Sequence, residues 1–218
     1  MPKVKIPRKS TNIDMTAMCD VAFLLLSFFI LATKTKPPEA VQINNPSSVS
    51  THIAKEEAIV VTLTKEGKVY LLLSDKKHKE AIIDKINTNK GLGLNATELK
   101  KLKRQDYVGM PFNKVKGWLD MTEDIPAAKM DGIPTGDSTN NELTDWIRAV
   151  TDAYAGEDIG NLNLLVKGDN LAKYPAFKNI KAAFKKNDLY KFKIITNPEG
   201  VPADSELARN PPKAEGKK

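Results

Sequence analysis

The 218-residue chain is 41% hydrophobic, carries a net charge of +7, and has one cysteine and two histidines. That length allows one modest soluble domain with its own core. Lysines alternate with acids through most of the sequence, as on a solvated surface, and no zinc-finger or basic-zipper pattern occurs. This argues against nucleic-acid binding, and a lone cysteine excludes an internal disulfide.

Residues 1–14 carry Lys3, Lys5, Arg8 and Lys9 against one acid, Asp14. They lead into MTAMCDVAFLLLSFFILAT, residues 15–33, an apolar run whose single charge is Asp20. As a helix this run reaches about 28 Å, close to the roughly 30 Å of a bilayer's hydrocarbon, so it reads as one membrane crossing. The basic bias of the N-terminal flank places residues 1–14 in the cytoplasm and everything after Lys34 on the far side, in a bacterium the periplasm. A cleaved secretory leader is the competing reading. Against it, Asp20 interrupts the apolar region and Ile30-Leu31-Ala32 lacks the small-residue cleavage pattern.

A carboxylate well inside a span costs at least about 2.5–3.5 kcal/mol on insertion scales, so Asp20 must be protonated or must face protein or water. At about 100° per residue, Thr16 and Ser27 fall within roughly 40° of it, making one polar stripe on an otherwise apolar helix. Asp20 reads as a proton-carrying carboxyl, with Thr16 and Ser27 as supporting polar groups. The alternative is a polar residue that only pins a helix–helix contact. Cys19, beside it, reads as a small apolar filler.

The order Thr16, Asp20, Val21, Phe23, Leu24, Leu25, Leu26, Phe28, Phe29 resembles the single span of the ExbD/TolR family of biopolymer-transport proteins. The resemblance implies that Asp20 sits inside a ring of a polytopic ExbB/TolQ-like partner and couples proton flow to mechanical work on the envelope. It also implies two copies of this chain per ring. Two departures are visible: Asp14 stands where the family often has asparagine, and Ala17 where it often has proline.

Residues 34–56, rich in proline, serine and asparagine, read as an extended linker, with strand-like alternation at Val41-Gln42-Ile43. The soluble domain, 57–196, opens with EAIVVTLT and VYLLL around a KEGK turn, a hairpin in which Gly67 and Tyr70 match the family. Residues 74–137 have no counterpart in the resemblance and read as a helical insertion, with apolar positions at Ile82, Ile83 and Ile86, at Leu99 and Leu102, and at Phe112, Val115, Trp118 and Leu119. Gly91-Leu92-Gly93 completes no nucleotide-binding fingerprint.

Thr139 and Glu142 suggest a capping box for a helix carrying Leu143, Trp146, Ile147, Val150 and Tyr154. A strand over 162–167, a Gly168-Asp169-Asn170 turn, a helix over about 174–187 and a strand over 189–196 close the domain and again resemble the family. The expected architecture is therefore one N-terminal transmembrane helix and a periplasmic α+β domain, an antiparallel or mixed sheet covered on one face by helices, with a helical insertion. Residues 197–218, rich in proline and charge, read as a disordered tail.

His52 and His78 read as surface residues, and no metal-ligand spacing, cofactor motif or nucleophile arrangement is present, so no enzyme is expected. The expected function is a component of a proton-motive-force-driven inner-membrane motor that energises outer-membrane transport through a TonB-like protein. The alternatives are a TolR-like role in envelope maintenance, or a tethered module that binds peptidoglycan or a partner protein without proton coupling.

Overall fold

The structure, a computed structural model, describes residues 15–33, 41–49, 58–121, 129–136, 140–155 and 162–200. The chain divides into two units, Met1–Pro38 and Glu39–Lys218. The first contains α1, Met15–Ala32, a helix of 18 residues without a β-strand former's alternation and without a buried residue. Among the described residues it is the one helix long and apolar enough to cross a membrane.

The second unit is built on a hairpin. Strands β2 (Ile59–Leu63) and β3 (Val69–Leu73) pair antiparallel in the register Ile59 to Leu73 and Leu63 to Val69. Gly67 holds φ at +84°, which an L side chain would resist, and so lets the turn close between Thr64 and Lys68. Three further strands extend this pair. β4 (Tyr107–Val108) joins β3 antiparallel, β5 (Leu164–Gly168) joins β2 parallel, and β6 (Lys193–Ile195) joins β5 parallel, giving the order β4-β3-β2-β5-β6. The sheet is mixed because β2–β3 is a direct hairpin whereas β5 and β6 are linked through a helix.

Alternation decides which side the helices cover. Ile59, Val61, Leu63, Val69, Leu71, Leu73, Leu164 and Val166 pack into one core with Ile82, Ile83 and Ile86 of α2 (Lys76–Lys90), Trp146, Ile147 and Val150 of α5 (Glu142–Ala153), and Ile180 and Phe184 of α6 (Tyr174–Lys185). Each such side chain removed from water contributes about 1.5–3 kcal/mol. The other face of the sheet bears a smaller cluster, Ala58, Val60 and Leu165, with Leu72 and Ile195 half-buried beside it.

The segment read as an insertion forms α2, α3 (Ala96–Arg104), β4 and α4 (Phe112–Leu119). It is built into the main core and not appended to it: α2 lies against α5, and β4 extends the sheet. Beyond β4 the chain returns along β3, where the Ile133 amide donates to the Val69 carbonyl at 2.7 Å and the Gly132 amide to the Gly109 carbonyl at 2.8 Å. Tyr70 is the post around which this return is wound. Its hydroxyl donates to the Met130 carbonyl at 3.2 Å, and burial, followed by the charges of Glu66 and Asp131, pushes its phenol pKa up.

Several local expectations are corrected. Asn141, not Thr139, stands at the N-cap of α5, and Glu142 is its first residue, its carboxylate accepting from the Phe112 amide at 2.8 Å; Thr139 lies outside the described residues. The reciprocal bond of a capping box appears instead at α3, where the Asn95 amide donates to Glu98 at 2.7 Å. Val41–Ile43 is not a strand. The short strand is β1, Ser47–Ser48, which pairs parallel with β7, Asn197–Pro198. Residues 44–48 and 197–199, expected as linker and tail, are therefore tied together, since the Asn197 amide donates to the Pro46 carbonyl and the Glu199 amide to the Ser48 carbonyl, both at 2.9 Å. Residues 201–218 lie outside the described residues. The last strand of the sheet is shorter than 189–196, because Leu189 is buried in the core and Phe192 packs on Phe184 at a ring-centroid distance of 5.3 Å.

At Gly109 an added Cβ would meet the Tyr70 ring at 2.3 Å. Gly109→Ala should thus destabilise the domain by about 1–3 kcal/mol through overpacking. Gly117→Ala, on the exposed side of α4 with nothing within 4 Å, should stabilise it by about 0.5–1 kcal/mol. Denaturant unfolding of both variants, followed by fluorescence of the buried Trp118 and Trp146, checks the opposite signs.

Candidate functional site

Asp20 sits in the second turn of α1, and its carboxylate has no hydrogen-bond partner among the described residues. Within α1, Thr16 and Ser27 fall on the Asp20 side by the helical repeat. The Ser27 hydroxyl donates back to the Leu24 carbonyl of its own helix at 2.9 Å, so it presents only acceptor capacity outward. The rest of the α1 surface is apolar, with Val21, Phe23, Leu25, Leu26, Phe29 and Ile30 among the side chains exposed in the isolated chain. Chemically, the helix offers one ionisable oxygen pair on an apolar rod.

The domain holds a second cluster that sequence reasoning missed. His78, expected on the surface, is buried, with 8% of its surface exposed. Its Nδ1 lies 2.6 Å from Asp75 Oδ2, and its ring stacks on Tyr154 at 3.9 Å between centroids. The Tyr154 hydroxyl donates to the same carboxylate oxygen, and the Lys77 amide donates to Asp75 Oδ1 at 3.0 Å. Asp75 is the N-cap of α2 and Tyr154 the C-cap residue of α5, so one carboxylate joins the start of one core helix to the end of another. Burial alone would raise the Asp75 pKa, but the hydrogen bonds from Tyr154, His78 and the Lys77 amide outweigh it and hold the carboxyl below the usual range. The Asp–His spacing at a helix start was a legible sign of capping; the third member, 79 residues from Asp75, was not. His52 lies outside the described residues.

A cleft of about 650 Å³ opens between the β2–β3 turn, residues 131–136 and Asn179 of α6. Its charges are largely engaged: Lys114 pairs with Asp131 at 2.6 Å, and Lys68 Nζ donates to the Met130 carbonyl at 3.3 Å. That pairing holds the Asp131 carboxyl below its usual range.

Compared with known families, the chain matches the one described as "Biopolymer transport protein ExbD/TolR" over residues 7–199. The chain belongs to the ExbD/TolR family. The matched range begins before α1 and ends after β7, so it spans both the apolar helix and the folded domain. Members are membrane-anchored proteins of biopolymer transport, and α1 is the helix of this chain consistent with the anchor. The biopolymer transport protein exbD2 of Vibrio cholerae is 28% identical over 64 residues, 29% of this chain and 48% of that relative. The similarity therefore spans less than half of the relative's length. No solved structure matches the chain.

Because the folded-state pKa of Asp75 is depressed, its contribution to stability is present in full above the unfolded value and is lost as pH falls through the folded value. Tyr154→Phe, which removes one charge-assisted bond, should cost about 1–2 kcal/mol at pH 7. The gap between variant and parent should then narrow as pH drops below about 4. Unfolding free energies measured from pH 7 to 3 check this; a gap that stays constant with pH would show that Tyr154 does not act through the carboxylate.

Proposed function

We propose that this chain is the proton-coupled subunit of an ExbB–ExbD-type motor in the bacterial inner membrane, with its N-terminus in the cytoplasm and the Glu39–Lys218 unit in the periplasm. Asp20 alternates between ionised and neutral forms as protons cross between α1 and a polytopic ExbB/TolQ-like partner. The resulting movement reaches the periplasmic domain, which acts on a TonB-like protein to energise outer-membrane transport. Two copies of the chain work within one partner ring. The observation that carries this reading is the single carboxylate on an otherwise apolar 18-residue helix in a member of a biopolymer-transport family. The similarity to a protein named biopolymer transport protein exbD2 supports a role in transport.

Chemistry sets the test. A neutral amide keeps the shape of the side chain and its hydrogen-bonding ability but cannot release a proton. Asp20→Asn, inserted at normal levels, should therefore reduce energised transport at least about tenfold, the loss expected when an essential proton-transfer group is removed. Transport by cells carrying the variant at the full parental rate would overturn proton coupling. It would leave a tethered module that holds peptidoglycan or a partner protein as the better account.

A further inference from the structure

The surface of α6 and the segment after it differs in charge from the rest of the domain. Residues 171–193 contain seven lysines, at 173, 178, 181, 185, 186, 191 and 193, against one acid, Asp188. All seven lysines are exposed. Several lysines elsewhere are paired: Lys79 with Asp106 at 2.7 Å, Lys90 with Asp145 at 2.6 Å, and Lys103 with Asp84 at 2.9 Å. Among the described residues, Lys178, Lys181, Lys185 and Lys191 have no ion pair. A cluster of like charges without counter-charges is held at the cost of self-repulsion and favours an anionic surface as a partner.

Between these lysines runs an apolar groove of about 300 Å³, floored by Phe184, Leu189 and Phe192 and edged by Tyr190. Tyr190 is 68% exposed. At the other end of the helix Leu171 and Tyr174 are equally open. Tyrosine rings and snorkelling lysine stems together make the composition that settles at the headgroup level of a bilayer.

The attachment of the linker favours the bilayer over any other anion. Asn44 is fixed to the turn just before α6, its amide donating to Asp169 Oδ2 at 3.1 Å and its carbonyl accepting from the Asn170 amide at 2.8 Å. Only residues 34–43 separate this point from Thr33, and a chain of that length spans at most about 40 Å. The lysine-bearing helix thus begins beside the tether, and wherever α1 is inserted a lipid surface lies within reach at high effective concentration.

We propose that the lysine-rimmed groove formed by α6 and residues 189–192 docks on the anionic lipid surface of the membrane that holds α1. The docking rests on α1 being a membrane anchor and does not require proton coupling.

The full chain reconstituted in nanodiscs tests this by lysine acylation read by mass spectrometry. In discs containing phosphatidylglycerol, Lys178, Lys181, Lys185 and Lys191 should be acylated at least about threefold more slowly than in phosphatidylcholine discs, as expected for several lysines held at an anionic surface. Lys85 and Lys100, exposed on α2 and α3, serve as internal references and should not change. The protection should vanish in about 0.5 M salt, where charge is screened within a few ångströms. It should also vanish at Lys191 when Lys178, Lys181 and Lys185 are all changed to Gln. Equal rates in the two lipids, or slowing that includes Lys85 and Lys100, would overturn the proposal. Protection by soluble polyglutamate with none from phosphatidylglycerol would overturn it in favour of an acidic protein segment. A chain that stays outside the discs would refute the anchor itself, an outcome distinct from a disc-bound chain with unprotected lysines.

Discussion

Hydrocarbon cannot hydrogen-bond, and a carboxylate placed in it must be neutralised or find a polar neighbour. α1 satisfies its own backbone, covers its surface with leucine, isoleucine, valine and phenylalanine, and then retains one aspartate. Ser27, on the same side, turns its proton inward to Leu24 and so offers that carboxyl no donor. In the proposed motor, the partner for that carboxyl comes from outside the helix. This is why the functional reading passes through a second protein and not through the helix alone.

The domain at the other end of the linker is organised for rigidity. Its hairpin is the centre of the sheet, with one face closed by α2, α5 and α6 in a continuous core. The 74–137 segment contributes a core helix and an edge strand and is clasped twice, by Tyr70 at its return and by Asp75, His78 and Tyr154 at its start. Buried polar groups that are fully partnered fix geometry more than they add stability. The chain arriving from the linker is bonded to the turn before α6 and joins the Ser47–Ser48 ladder, so it is fixed to the fold at two points.

What was legible in the sequence depended on how local its cause is. The membrane helix and its one charge are properties of a single run of residues, and the hairpin, α5 and α6 follow from periodicities of 2 and 3.6. The cap of α5 was misread because the Glu142 carboxylate serves an amide 30 residues away, at Phe112. His78 was misplaced for the same reason, since its burial depends on Tyr154 of another helix. The β1–β7 ladder joins serines to an Asn-Pro pair 150 positions apart, with no apolar alternation in either, and nothing in the local pattern points to it. The family match confirms the resemblance first seen in the Thr16–Phe29 order and extends it over the whole folded part of the chain.

The central claim is that Asp20 works against a polytopic membrane protein, and the most direct measurement is the composition of the complex itself. The tagged chain should be extracted from its own membranes in mild detergent and its bound proteins quantified by mass spectrometry. The account predicts a polytopic membrane protein retained in molar excess over this chain. Recovery of the chain alone, or with cell-wall material only, would contradict it by leaving the carboxyl without a proton path.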